Sequence, residues 1–214
     1  MHNSILNSMK SNIRNNIILY FLVLLCFLVG ISVGGFTVKV ISPSHKQEIV
    51  SYLNSFFQLF TAQGLNKLDI FTQSFINNIQ LLSLSWISGL LVISIPAIIL
   101  IILFKGFVIG FTVGLLIEQF KFKGVLLFLV GVLPHNLIII PIFIAAGVTS
   151  ILFTITIIKK KLNKSNKLKE VNFYKEMIPY TAIYVLFTAF VLVAVSIEAF
   201  ISPVFIKLIN TYIQ

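Results

Sequence analysis

Two long runs, Ile70 to Phe104 and Gly124 to Ile158, contain no Asp, Glu, Lys or Arg. A third runs from Asn15 to Val38. As a continuous helix, the run from Gly124 would be roughly 52 Å long, against a bilayer hydrocarbon core of about 30 Å. Soluble domains do not tolerate such runs. Only 10% of the chain is charged and 58% is hydrophobic, where soluble domains carry about 25% charged residues. The sequence predicts an all-α, polytopic integral membrane protein in a single membrane domain over 1–214. In the membrane, backbone groups must be paired within the segment, and helices do this.

The runs divide into about five transmembrane helices. The first spans about Ile17 to Gly35 and contains Gly30 and Gly34, a spacing suited to close helix contact. Lys10 and Arg14 precede it, as in a signal peptide, but the apolar run is too long for one and no cleavage motif follows. It reads as an uncleaved anchor. The second spans about Leu81 to Leu103, with Pro96 as a kink and Trp86 as an interfacial anchor. The third is short, Gly106 to Phe120, with Lys105 reaching toward the headgroups at its start. Gly106, Gly110 and Gly114 line one face of it, for packing within the chain or for a homo-oligomer seam. Pro134 predicts a break, with a short segment from Val125 to Leu133 and a fourth span at about Leu137 to Ile157. The fifth runs from about Ile178 to Ala199.

Residues 36–80 form the one sizeable loop on the side opposite the N-terminus. Ser44 and Gln47 resemble a capping box. Tyr52, Phe56, Phe57 and Phe60 then recur on one helical face, and after an Asn66 cap so do Phe71 and Phe75. These interfacial amphipathic helices either pack on the protein itself or dock a partner. Glu198, at the end of the fifth span, belongs to the same candidate surface.

The formal charge is +10, and seven of the sixteen basic residues lie between Lys159 and Lys175. This is a topology signal rather than a nucleic-acid footprint. Five spans with a cytoplasmic N-terminus put the Lys-rich loop, 159–176, in the cytoplasm and the C-terminus outside. The single cysteine, Cys26, lies in an apolar run and reads as a packing residue.

No zinc-binding H-E-x-x-H, cysteine pair, G-x-S-x-G or P-loop occurs in the chain. No metal or cofactor is implied. His135 and Asn136 stand between Pro134 and Pro141 in an apolar setting. Proline leaves carbonyls without their helical donors, and Asn136 is equipped to satisfy them. That makes the group a helix break with a polar core; a ligand site, a proton relay or a partner contact are the alternatives.

The segments "FKGFVIGFTVGLLIEQF" (104–120), "GVLPHNLIIIPIFI" (131–144) and "IEAFISPVFIKL" (197–208) resemble, in order and spacing, the stage II sporulation protein M family. "SYLNSFFQLF" and the basic-then-apolar start are similar too. The resemblance implies a multi-pass protein of the cell membrane, on the mother-cell side of the sporulation septum in endospore-forming bacteria. It implies a non-enzymatic anchor or scaffold for two peptidoglycan-degrading partners, stage II sporulation proteins D and P, during engulfment. His135 stands where the family carries a polar amide, which argues against acid–base chemistry there. Two readings compete with the scaffold: a transporter or channel-type subunit, and an intramembrane enzyme.

Overall fold

The computed structural model describes residues 14–51, 66–91, 94–162 and 173–203. They are helical nearly throughout. Helix α1 spans Ile17–Val40, α2 Lys67–Leu90 and α3 Ser94–Phe120. A short α4, Phe122–Leu127, leads through a π-helical turn, Phe128–Val132, into α5, Leu133–Leu162. Helix α6 is Phe173–Phe200. Four stretches are long and apolar enough to cross a membrane: Ile17–Val40, Ile95–Phe120, Phe122–Leu162 and Phe173–Phe200.

That inventory corrects the predicted spans. The stretches 81–103 and 106–120 are not separate helices. Helix α2 continues past Gln80 to Leu90, because Gln80 points outward and leaves the inward stripe of Ser74, Asn78, Leu82 and Ser85 unbroken. The chain breaks instead around Leu91, and α3 then runs through Lys105 for 27 residues. Pro96 does not kink a span. It is the third residue of α3, where its absent N–H has no intrahelical acceptor to lose.

The break expected near Pro134 is also absent. Helical backbone is continuous from Phe122 to Leu162, 41 residues. The proline is accommodated by the π turn just before it, in which the Leu133 N–H reaches back five residues to the Phe128 carbonyl. Such wider turns relieve a helix where the regular ladder cannot close. Asn136 Nδ2 donates to the Val132 carbonyl at 2.8 Å, at the end of the same turn. Pro141 lies within α5.

Local chemistry sets the helix ends. Ser42 precedes Pro43, the first residue of the helical stretch 43–51, and its hydroxyl lies 2.6 Å from His45 Nδ1. The helix start is therefore at Pro43 rather than at the Ser44 expected from the capping pattern. Asn66 caps α2 as expected, accepting from the Leu68 N–H at 3.2 Å. Between α3 and α4 the chain reverses through the single residue Lys121, at φ 50. This tight reversal requires Gly124, where a β-carbon would stand 1.9 Å from the Leu116 carbonyl oxygen.

Contacts fix the relative directions. Gly30 meets Leu103 and Gly34 meets Phe107 and Phe111, so α1 and α3 are parallel. Ser74 pairs with Glu198, and Ser85 with Tyr184, so α2 and α6 are antiparallel. Ser150 meets Tyr180, and His135 meets Glu198, so α5 and α6 are antiparallel as well. Helices α1, α3 and α6 thus run one way, with α2 and α5 the other. Helix α2, though too polar to count among the four apolar stretches, supplies the return between α1 and α3. The end of α5 with Lys159 to Lys161 and the start of α6 with Lys175 lie together, joined by Lys160 to Glu176 at 2.5 Å.

The core is built from Val23 and Phe27 of α1, Leu82 of α2, and Ile98 and Ile102 of α3, with Ile139, Phe143 and Ala146 of α5 and Val191, Ala194 and Val195 of α6. Large apolar side chains remain exposed around it, among them Phe21, Leu25 and Val33 on α1 and Val185, Leu186 and Phe190 on α6. This is the surface that a hydrocarbon solvent demands.

Candidate functional site

Three kinds of contact hold the helices together, and one of them encloses a site. The first is backbone on backbone. A β-carbon at Gly30 would lie 2.3 Å from the Leu103 carbonyl oxygen, and one at Gly34 2.2 Å from that of Phe107. From the other side, Gly106 faces the Phe27 carbonyl at 2.3 Å and Gly110 that of Ile31 at 2.1 Å. Gly114 closes the line against Gly35 and Val38. The two glycine ladders of the sequence therefore face each other inside one chain.

The second is a hydroxyl network between α2, α5 and α6. Ser150 Oγ donates to the Ser85 carbonyl at 3.0 Å and lies 2.9 Å from Tyr180 OH and 2.5 Å from Tyr184 OH. Tyr180 donates to the Trp86 carbonyl at 2.8 Å, and Tyr184 to that of Ala146 at 3.1 Å. Thr154 Oγ1 donates to the Gly89 carbonyl at 3.0 Å, one of the carbonyls a helix C-terminus leaves open. Trp86 belongs here too: its indole donates to Thr181 Oγ1 at 3.3 Å.

The third is a polar cluster around a cavity of about 520 Å³ bounded by α2, α3, the π turn, α5 and α6. Lys105 Nζ donates to Asn78 Oδ1 at 2.8 Å and stands 5.0 Å from the centroid of the Phe143 ring. Asn78 in turn donates to the Ser74 carbonyl at 2.9 Å. Ser74 Oγ donates to Glu198 Oε2. His135 Nε2 is 3.7 Å from the same carboxylate oxygen and 3.0 Å from Asn136 Nδ2. Gly131 and Val132 of the π turn line the space, and such turns recur where a helix must open room for function.

Several expectations change here. Lys105 does not reach outward to the headgroups. It lies near the middle of α3, and its amine turns inward because Asn78 and the Phe143 ring offer partners. Glu198 also turns its carboxylate into the cavity, while 28% of its side chain stays exposed. His135 and Asn136 are buried, and His135 meets Glu198 from another helix. Phe71 and Phe75 are half-buried, stacked at 6.2 Å between centroids, and packed against the core. The outer face of α2 presents Leu68, Ile76, Leu84 and Ile87 instead. Tyr52, Phe56, Phe57 and Phe60 lie outside the described residues.

Sequence reasoning missed Lys105, Asn78 and Ser74 as site residues. One signal was present. Lys105 is the only charged residue between Asp69 and Glu118, and such a charge within a span is functional by default. Ending one span at Leu103 and starting another at Gly106 hid it.

Opposed charge, imidazole and amides on four helices suit the binding of a polar group inside the bundle. Among the described residues no cluster of three or more metal-ligating side chains occurs. The model of the stage II sporulation protein M family matches residues 23–203. No curated protein and no solved structure matches the chain.

Proposed function

The chain belongs to the stage II sporulation protein M family, and from that premise we propose that it is the membrane scaffold for wall-degrading enzymes during engulfment. A member of this family is a stage II sporulation membrane protein. In the finer reading it holds stage II sporulation proteins D and P against the septal wall on the mother-cell side, and the partners do the cutting. The observation that carries the reading is the match over 23–203, nearly the whole chain. The exposed apolar surface of α1 and α6 supports the membrane setting.

The N-terminus is cytoplasmic in this reading. Arg14, at the N-terminal end of the parallel α1, shares one end of the bundle with Lys159 to Lys161 and Lys175, and positive charge concentrates on the cytoplasmic side. The opposite end carries residues 43–51 and the start of α2, and we assign the partner contact to the segment 44–79 and the outer face of α2. The test is a gentle-detergent pull-down of the tagged protein from sporulating cells. Recovery of proteins D and P supports scaffolding, and Phe56→Asp should release them while insertion is unchanged. Recovery of the chain alone, with both enzymes present and soluble in the same detergent, overturns it.

One observation favours a second reading, a transporter or channel-type subunit. Lys105, His135 and Glu198 converge on a cavity inside the helix bundle, where transporters place their sites. Substrate-dependent flux in proteoliposomes, lost in Lys105→Met, would select it.

A further inference from the structure

The cavity separates two opposite charges that the protein does not join. Lys105, on α3, is held by an amide oxygen and an aromatic face. Glu198, on α6, is held by the Ser74 hydroxyl and lies beside His135. Among the described residues no carboxylate comes within 4.0 Å of Lys105 Nζ, and no lysine or arginine within 4.0 Å of Glu198. Each charge is held by a neutral partner, and the two attract each other only across the open space between them. Both line the same cavity.

Size and access narrow what could join them. A volume of about 520 Å³ lies within the roughly 300–1,000 Å³ of small-molecule sites. Phe104 and Val108 of α3 and Asn77 and Gln80 of α2 line the cavity and are also exposed. The mouth therefore opens sideways between α2 and α3, on the outside of the bundle. Half of that rim is apolar and half carries amides, so an amphipath could leave its tail outside and bring its head in.

We propose that this cavity takes a zwitterionic group, its anionic oxygen on Lys105 and its primary ammonium on Glu198, with an aminophospholipid headgroup as the form the lateral mouth admits. A free zwitterion such as a short peptide shares the chemistry. The lateral mouth favours the lipid, because acyl chains stay in hydrocarbon while the head reaches polar partners. The inference does not rest on scaffolding: it uses no partner, and it shares with the surface assigned to them only the edge of α2 that carries Asn77 and Gln80.

The test uses the purified full chain in mild detergent, with thermal unfolding and native mass spectrometry as readouts. The probes are phosphatidylethanolamine, phosphatidylcholine, phosphatidylglycerol, phosphoethanolamine and dialanine. Phosphatidylethanolamine should be retained and should raise the unfolding temperature more than phosphatidylcholine, which has no N–H to donate. Lys105→Met and Glu198→Gln should each weaken its binding about tenfold, the loss of one charge-assisted contact. The glutamine keeps an acceptor for Ser74. Thr112→Phe, on the cavity wall two turns beyond Lys105 on α3, should block binding even if the Lys105 variant fails to fold. Stabilisation by phosphatidylethanolamine but not by phosphoethanolamine or dialanine identifies a lipid occupant. Stabilisation by either small zwitterion identifies a free one. Equal binding of phosphatidylglycerol, indifferent to Glu198→Gln, overturns the proposal in favour of a plain anion site. So does a lack of response to every probe, and in that case loss of a co-purifying membrane protein from the Thr112→Phe variant would make a partner helix the occupant.

Discussion

Helix α3 is gripped on its two sides by opposite means. Toward α1 it presents glycines, and the contact is backbone against backbone with a β-carbon's width removed. Toward α2 and α5 it presents Lys105, and the contact is an amide and an aromatic ring, with the Glu198 carboxylate of α6 on the far side of the cavity. The first side has no polar side chain to satisfy and no room to adjust. The second has partners that could be exchanged for others, including a ligand. In hydrocarbon, where burial of apolar surface does not drive helices together, these are the two available kinds of adhesive. A rigid glycine seam suits an invariant frame, and a polar cavity suits a place where something binds.

The sharpest way to break this comparison is Gly110→Leu. The new β-carbon would stand 2.1 Å from the Ile31 carbonyl oxygen, and backbone cannot step aside as a side chain can. Overpacking of a yielding core costs about 1–3 kcal/mol; here the expected loss is above about 3 kcal/mol, because two helices must separate. Membrane-inserted protein, measured after chase in cells, should fall sharply. Normal yield and stability would mean that α1 and α3 do not meet as described.

Legibility in the sequence differs on the same two sides. Gly30 and Gly34, and Gly106, Gly110 and Gly114, were readable because close packing of parallel helices is written in four-residue spacing. Their partnership within one chain was not, since spacing says nothing about which helix comes opposite. The polar side was almost illegible. Ser74, Lys105, His135 and Glu198 come from four helices, and their sequence order carries no sign that they converge. Asn136 donates to the Val132 carbonyl, not to the Leu137 carbonyl that Pro141 leaves without its helical donor. The expected break is absent, because a π turn preserves helical continuity where hydropathy and proline suggest a stop. The boundary between α2 and α3 was misread for a related reason: a lone lysine looks like a span end when its inward partner, Asn78, is unknown.

The polar side makes a prediction whose sign is informative. Asn78→Leu should destabilise more than Lys105→Met. The first leaves a cation inside the bundle without its acceptor, at a cost of about 2–3 kcal/mol. The second removes the charge and leaves a neutral amide with other bonds, at about 1 kcal/mol. Unfolding in detergent of the two single variants and the double variant measures it. The double should resemble Lys105→Met alone, since Asn78 matters chiefly through the lysine. Additive losses would mean that the Lys105–Asn78 contact is incidental.

A smaller effect is expected in the hydroxyl network. Ser150→Ala removes three contacts, yet Tyr180 keeps the Trp86 carbonyl and Tyr184 keeps Ser85 and the Ala146 carbonyl. The loss should be about 1 kcal/mol, near the mean for one net hydrogen bond and well below the sum of three. Gly89 is the less forgiving position in the same place, since a β-carbon there would stand 2.2 Å from Tyr180 OH. A Ser150→Ala protein as unstable as Gly110→Leu would show that the network, and not the seam, sets the frame.

The smallest effect belongs to the ion pair that ties the segment after α1 to the end of α3, Lys46 with Glu118. Both side chains are partly open, 26% and 37% exposed, and water and salt weaken such pairs. Lys46→Ala should therefore change stability by about 0–1 kcal/mol. The residual effect should vanish in high salt, because the Debye length falls to about 3 Å at 1 M. Unfolding of the wild-type and Lys46→Ala proteins at low and high salt checks both statements. A loss that survived high salt would mean that Lys46 positions the start of the 43–51 helix over α3 through packing of its aliphatic stem. The surface proposed to meet the wall enzymes would then be held by the same rigid kind of contact as the glycine seam beneath it.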